Sequence, residues 1–251
     1  MQVTVQPERT LSPLVKKLQL WGPLDDAAQE AILALPHKVE ELLPHKYIVR
    51  EGDRPSYSCL LLEGFAFRHK VLVDGSRSIN AIHMKGDMVD LQNSLLGTAD
   101  HSVQTLTRVT AAFIPREAIR QIAFDVPAVG MAMWYDTLVD ASIFREWIAN
   151  IARRDAASRI AHLLCEFGLK LEAIELGDRL SYEMPMTQEQ LADATGLTAV
   201  HVNRTLMDLE NRGLIARAKK FVAISDWKRM EDVAGFTDGY LHLRDESSVL
   251  Q

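Results

Sequence analysis

The segment TQEQLADATGLTAVHVNRTLMDLENRGLI, residues 187–215, contains two short helical patterns separated by the glycine turn TGL. Thr187 is a good N-cap, and Gln190 three residues later completes a capping box for the first helix. Gly196 can adopt the positive φ that ends this helix, and Thr198 can cap the second one. Two short helices joined by such a turn predict a helix-turn-helix unit.

The second helix, which we expect to end at about Asn211, has one apolar face and one mixed face. Val202, Leu206 and Leu209 follow the i, i+4, i+7 spacing of a buried face. The side chains that we expect to read base edges point the other way: Ala199, Val200, Asn203 and Arg204. Asn can pair with N6 and N7 of adenine, Arg can bind O6 and N7 of guanine, and small apolar side chains can contact thymine methyl groups.

Two strand-like segments, GLIAR and FVAIS, follow this helix and are joined by AKK, which predicts a basic wing. The side chains that we expect at the phosphate backbone are Thr187, Thr198, His201, Arg217, Lys219 and Lys220. Residues 199–229 carry seven basic and three acidic side chains, hence a local charge of +4 in a chain of −6. The alternative is a pair of helices whose outer face is an ordinary solvated surface. Because the helix caps, the glycine turn, the spacing of the buried face and the basic wing all occur together, we favour binding to double-stranded DNA.

A β domain is predicted before the helix-turn-helix. Glycines recur at intervals of 11 or 12 residues, mostly in turn contexts: Gly52, Gly64, Gly75, Gly86 and Gly97. The segments between them, such as YSCLLLE and FAFRHKVLV, are short and rich in β-forming residues. Because short strands with regular turns are typical of antiparallel sandwiches and rolls, we predict an antiparallel β-roll.

A long helix is predicted between the β-roll and the helix-turn-helix, because residues 131–152 contain neither glycine nor proline. Five of its residues lie near a heptad seam: Met131, Tyr135, Leu138, Ser142 and Arg145. A long helix with this pattern between two domains predicts a dimerisation helix. The alternative is a helix that packs only on its own β domain.

The predicted fold class is therefore α+β, with four consecutive parts. We assign residues 1–127 to a β-roll sensor domain, 128–152 to the long dimerisation helix, 153–234 to a winged helix-turn-helix domain, and 235–251 to a C-terminal tail.

Composition excludes several other classes of protein. Apolar residues make up 47% of the 251 residues, but no apolar run is long enough to span a bilayer, so we expect no membrane contact. The N-terminus MQVTVQPERT lacks the pattern of a secretory signal. Cys59 and Cys165 lie in apolar contexts, which favours a reducing compartment. We find no phosphate loop, His–Glu metal motif or nucleophile elbow, so neither an enzyme nor a metal site is expected.

The order of β-roll, long helix and terminal winged helix resembles the Crp/Fnr family of bacterial transcription regulators. The resemblance covers roughly residues 25–233 and is most specific at RIAHLL and in MTQEQLADATGLTAVHVNRTLMDLENRGLI. It implies a cytoplasmic homodimer that binds a two-fold symmetric operator and contacts RNA polymerase. The family's recognition helix often carries Glu, then Ser or Gly, then Arg. Here Val200, Asn203 and Arg204 occupy those positions, so we expect a different DNA preference.

The resemblance also places a candidate effector pocket at Asp90, His101 and Ser102, by position after Gly86. Members that bind cyclic AMP carry a Gly-Glu-Leu segment for the ribose and an Arg-Ser pair for the phosphate. A mostly neutral His is a poor substitute for Arg, and Asp90 adds negative charge, so we expect no response to cyclic AMP. Two cysteines cannot supply the four thiolates of an iron–sulfur cluster.

Haem is another cofactor found in the family, and its candidate ligands here are His69, His83 and His101. Single histidines on strands are more often structural, so we expect no cofactor and leave the effector unknown. A different class of function is a β-roll subunit that regulates another protein without binding DNA. That hypothesis would leave the winged helix without a role.

Overall fold

Residues 10–243 are described here from a computed structural model of the chain. Residues 1–9 and 244–251, which include most of the N-terminal segment MQVTVQPERT and the end of the predicted tail, lie outside the described residues. No helix within residues 10–243 is both long and apolar enough to cross a membrane. The chain divides into two compact units, which are described separately below.

The first unit comprises residues 10–70 and 81–141 and contains most of a β-roll. One antiparallel sheet has the strand order β1-β7-β3 and the other has the order β2-β6-β4-β5. The strands are β1 (Lys38–Leu42), β2 (Tyr47–Val49), β3 (Tyr57–Glu63), β4 (Ala66–Val71), β5 (Arg77–His83), β6 (Ser102–Thr105) and β7 (Val109–Pro115). This architecture confirms the predicted antiparallel roll.

The core of the roll is formed by side chains from both sheets. Val49 and Val103 of one sheet join Cys59, Leu61 and Ala111 of the other, and each is at most 3% exposed. Burial of this kind contributes about 25 cal/mol per Å² of apolar surface. The burial also raises the pKa of the Cys59 thiol, so this cysteine is an inert core residue, as its sequence context indicated.

Three helices belong to the same unit: α1 (Ser12–Gln19), α2 (Asp26–Leu33) and α3 (Arg116–Asp125). Asp25 caps α2, because its Oδ1 accepts a hydrogen bond from Ala28 N at 2.8 Å. Helix α1 was not predicted from the sequence. It is tied to the roll by the ammonium group of Lys17, which lies 2.8 Å from Oδ1 of Asp87.

The predicted long helix is α4 (Pro127–Arg153), which has 27 residues. It extends one residue beyond the predicted range 128–152 at each end. The boundary between the two units falls inside this helix, between Ala141 and Ser142.

The second unit comprises Val71–Asn80 and Ser142–Leu243 and contains the C-terminal domain. Its further elements are α5 (Ala156–Ala173), β8 (Ser181–Glu183), α6 (Gln188–Thr195), α7 (Ala199–Asn211), β9 (Ile215–Ala218), β10 (Phe221–Ile224) and α8 (Trp227–Ala234). The three strands form an antiparallel sheet in the order β8-β10-β9. A winged helix-turn-helix is thereby confirmed.

Strand β8 was not predicted from the sequence. Its three residues pair with β10, with Tyr182 opposite Val222. The Tyr182 hydroxyl donates to the carbonyl oxygen of Leu164 at 2.6 Å, and the side chain is 3% exposed. A buried aromatic ring therefore attaches the wing sheet to α5.

Substitution of Gly64 should destabilise the roll much more than substitution of Gly52. Both glycines have positive φ, +83° and +89°. A Cβ on Gly64 would lie 2.9 Å from Thr107 Oγ1 and would collide with the carbonyl oxygen of Arg108, whereas Gly52 has no heavy atom within 4 Å. We expect Gly52→Ala to cost about 1–2 kcal/mol from backbone strain, and Gly64→Ala about 1–3 kcal/mol more from the clash. Urea denaturation of the two variants measures the difference; equal losses would contradict it.

Candidate DNA-binding surface and effector site

The helix-turn-helix is held by local hydrogen bonds at both helix starts. Thr187 Oγ1 accepts from Gln190 N at 3.2 Å, and Gln190 Oε1 accepts from Thr187 N at 2.8 Å, which completes the predicted capping box. Gly196 ends α6 with φ +66°. Thr198 Oγ1 then accepts from His201 N at 3.2 Å and caps α7. These caps set where each helix begins.

Helix α7 buries one face and exposes the other. Val202 and Leu209 are fully buried and Leu206 nearly so. Asn203 and Arg204 are exposed, and Val200 is 80% exposed. Ala199 and His201 are half-buried at the edge. The structure thus brings the four predicted base-reading residues to one helix face, with His201 beside them.

The wing presents two exposed cations at its tip. Strands β9 and β10 pair antiparallel, and Lys219 and Lys220 form the turn between them, Lys219 with φ +59°. Arg217, which we expected to contact the phosphate backbone, is instead paired with an acidic side chain. Its Nη2 lies 2.6 Å from Oε2 of Glu210, and this hydrogen-bonded ion pair lowers the pKa of the Glu210 carboxyl. Because Arg217 is already neutralised, it offers less to a phosphate than the two lysines.

One side chain on this surface was not singled out from the sequence. Gln188, the first residue of α6, donates a hydrogen bond from Nε2 to Oδ1 of Asn203 at 3.1 Å. Both side chains are exposed. The position of Gln188 directly after the Thr187 cap was the available hint, but the pairing depends on how α6 and α7 pack.

The predicted seam of α4 is largely open to solvent. Met131 and Leu138 are 59% and 53% exposed, and Tyr135 and Arg145 are also exposed. Trp134, which flanks the seam, is exposed too. Ser142 was predicted to lie at the dimer seam, but its own chain buries it, so its side chain is not exposed to a partner subunit.

Asp90, the first candidate effector residue, lies in the interior of the roll. Its Oδ1 accepts from Cys59 N at 2.8 Å, and burial raises the pKa of its carboxyl to about 7. It lines a pocket of about 380 Å³ together with Arg54, Tyr57 and Phe113. A carboxyl at this depth opposes an anionic ligand whenever it is ionised.

His101 and Ser102 are not among the residues that line this pocket. The imidazole of His101 lies 2.6 Å from Asp100 Oδ1 and 3.2 Å from Gln92 Nε2, and burial lowers its pKa. Ser102 Oγ accepts from Glu51 N at 3.0 Å. The three predicted effector residues therefore make separate contacts, and His101 is uncharged at neutral pH.

The other two candidate haem ligands are buried in the described part of the roll. His69 contacts the rings of Tyr47 and Phe67, with centroids 5.9 and 5.1 Å away. Nδ1 of His83 lies 3.8 Å from Asp87 Oδ2, and burial lowers the pKa of His83. These contacts hold both rings in the interior of the roll.

Two family models match the chain at the places that the fold indicates. A cyclic nucleotide-binding domain matches residues 39–125, and a Crp-like helix-turn-helix domain matches residues 158–233. The chain belongs to the Crp/Fnr family. It is a DNA-binding transcription regulator, and regulators of this family are generally not enzymes and typically act as dimers.

Curated relatives and solved structures agree with this assignment. The transcriptional activator protein FnrL of Cereibacter sphaeroides is 26% identical over 75% of this chain and 77% of its own. The nitrogen fixation regulation protein FixK of Bradyrhizobium diazoefficiens is 26% identical over 69% of this chain and 72% of its own. The structure of FixK2 from Bradyrhizobium japonicum shares the fold, with a TM-score of 0.73 and 19% identity, covering 81% of this chain and all of that one.

This Crp/Fnr chain should not bind cyclic AMP or cyclic GMP tightly, although its β-roll matches the cyclic nucleotide-binding model. Asp90 and His101 stand where the family carries its ribose-binding Glu and phosphate-binding Arg, and neither supplies a cation at the phosphate position. Isothermal titration calorimetry should show no binding below about 100 μM, which corresponds to roughly −5.5 kcal/mol. A tight titration with one nucleotide per chain would overturn this reading of the pocket.

Proposed function

We propose that this regulator binds DNA as a homodimer on a two-fold symmetric operator, with α7 in the major groove. The observation that carries the proposal is the exposed face of α7, where Asn203 and Arg204 stand opposite the buried Val202 and Leu206. In helix-turn-helix proteins the second helix enters the groove with its N-terminal residues at base edges. Ala199, Val200, Asn203 and Arg204 all lie in the first two turns of α7.

Backbone contacts are proposed at both ends of this surface. The N-terminus of α7, capped by Thr198, directs amide groups outward, and such ends favour phosphate. Thr187 caps α6, and His201 lies in the first turn of α7. Lys219 and Lys220 at the wing tip are suited to the neighbouring backbone because they are exposed and carry no base-specific geometry.

The dimer is proposed to form through α4. Met131, Trp134, Tyr135 and Leu138 make an exposed apolar strip along its first half. Such a strip on a protein that acts on DNA is typical of a surface covered by a second subunit. In this arrangement two copies of α7 would read half-sites one helical turn apart, about 34–36 Å.

We infer that the β-roll transmits an unidentified signal that controls DNA binding by the C-terminal domain. We also infer that the protein works in the cytoplasm and acts on RNA polymerase at promoters. The names of FnrL and FixK, an activator and a regulation protein, support transcriptional output.

Leu138→Glu should convert the dimer to monomers. Two like charges would be buried near each other at the proposed interface, at a cost of several kcal/mol. Leu43→Glu is the matched control, because Leu43 is 51% exposed but lies before the second strand of the roll, away from α4 in sequence. Multi-angle light scattering at micromolar concentration measures the mass. A Leu138→Glu protein that stays dimeric would move the interface elsewhere.

Arg204→Ala and Lys219→Ala should weaken DNA binding in different ways. Loss of Arg204 should relax the preference at one base pair in each half-site, since a bidentate contact to guanine gives about 1–3 kcal/mol of discrimination. Loss of Lys219 should weaken all duplexes alike and reduce the salt slope by about one unit per wing.

The measurement is a titration against an operator, selected from a random-sequence library, and against scrambled duplexes at several salt concentrations. If Arg204→Ala weakened both duplexes equally while Lys219→Ala changed specificity, the assignment of α7 to the groove and of the wing to the backbone would be wrong.

A further inference from the structure

The pocket that contains Asp90 combines an apolar wall with charges of both signs. It has a volume of about 380 Å³ and lies within the first unit of the chain. Val49 belongs to the core of the roll and Phe113 packs against it, and together with the exposed ring of Tyr57 they supply the apolar surface. Sites for small molecules commonly have volumes of about 300–1,000 Å³, with apolar walls and a few polar groups. The pocket therefore has the size and the lining of a site for a small ligand.

Asp90 is a buried acid that is not paired with a cation of the described chain. Its side chain is 1% exposed, and its Oδ1 accepts from Cys59 N at 2.8 Å. No other residue within 10–243 makes a hydrogen bond or ion pair to this carboxyl. Burial raises its pKa to about 7, and no cationic side chain opposes that effect. Because a buried carboxylate is stable only when it is paired, an ammonium group of a ligand would be a suitable partner.

Arg54 brings the opposite charge to the same pocket. Its side chain is exposed and makes no ion pair within residues 10–243. A guanidinium group can bind a carboxylate through two parallel hydrogen bonds. Because Arg54 does not lower the pKa of Asp90, the two charges are far enough apart for a ligand to lie between them. Asp53 also lines the pocket, but its Oδ2 accepts from Arg50 N at 2.9 Å and stabilises the turn.

We propose that this pocket binds an α-amino acid with an apolar side chain. The ammonium group pairs with Asp90, the carboxylate pairs with Arg54, and the side chain lies against Val49 and Phe113. A simple amine has no carboxylate for Arg54, and a cyclic nucleotide has no cation for Asp90. Because the β-roll is the proposed sensor, the inference names the chemical class of the signal and rests on the proposed function.

Compounds that share one side chain separate the contributions of the two charges. The apolar amino acids are first titrated into the full chain by isothermal titration calorimetry. We expect one or more of them to bind with one molecule per chain and a Kd below about 1 mM. The tightest is then compared with the amine and the acid of the same skeleton, which for leucine are isoamylamine and isocaproate. Each of these should bind at least about tenfold more weakly, the factor that corresponds to ~1.4 kcal/mol.

Two variants test the charges of the pocket one at a time. Arg54→Gln changes an exposed side chain, so it should fold normally, and it should weaken the amino acid but not the amine. Asp90→Asn keeps an acceptor for Cys59 N and should weaken the amino acid but not the acid. Arg50→Gln is the matched control, because Arg50 is an exposed arginine of the same loop that stacks on Tyr47 at 3.7 Å and does not line the pocket. It should leave all affinities unchanged.

Three results would overturn the inference: no apolar amino acid binds at about 1 mM, the amine or the acid binds as tightly as the amino acid, or Arg54→Gln binds the amino acid as wild type does. The last result decides the question even if Asp90→Asn does not fold.

The role of the amino acid as a signal is measured with a selected operator. Because coupling between two sites is reciprocal, the amino acid should change operator affinity by the factor by which the operator changes amino acid affinity, at least about fivefold. Binding without any effect on operator affinity would support the site and overturn its role as the signal. Failure of the proposed function looks different, because then the amino acid binds but no operator is selected.

Discussion

The buried face of α7 is the constraint on which the DNA-binding surface depends. Val202, Leu206 and Leu209 pack inward, which fixes the rotation of the helix about its own axis. Each residue turns the helix by about 100°, so Asn203 and Arg204 must leave the core side. A rotation by a single residue would bury a polar side chain without a partner, which costs about 1–3 kcal/mol. The core therefore determines which side chains form the proposed DNA-binding surface.

Local patterns were enough to predict this domain, whereas long-range pairing was not. The caps at Thr187 and Thr198 and the turn at Gly196 act within a few residues, so the sequence indicates them directly. Strand β8 exists only because β10 supplies its hydrogen bonds from about forty residues away in the sequence. The pairing of Arg217 with Glu210 likewise depends on how the wing folds back on α7. Heptad spacing also cannot show that Ser142 is covered by its own chain.

The β-roll was predictable from its turns, but the chemistry of its interior was not. The family resemblance placed Asp90, His101 and Ser102 together in a candidate effector pocket, but in the structure each side chain contacts different neighbours. The positive charge of Arg68 in the roll is also balanced by an acidic side chain of the same protein. Arg68 on β4 makes two hydrogen bonds to the Asp140 carboxylate, at 2.8 and 3.2 Å, and its side chain is 11% exposed. An anionic ligand at Arg68 would have to displace an existing ion pair, which is costly for partly buried charges.

Charge distribution explains how an acidic protein can serve as a selective DNA reader. The whole chain carries −6, which disfavours unspecific association with a polyanion. In the proposed binding mode, attraction to phosphate comes from exposed cations such as Lys219 and Lys220 at the wing tip, whereas Arg217 is paired with Glu210. Because unspecific DNA binding is almost entirely electrostatic, the acidic balance of the chain keeps it weak. More of the binding free energy must then come from base edges, where the orientation of each polar side chain decides which sequence is accepted.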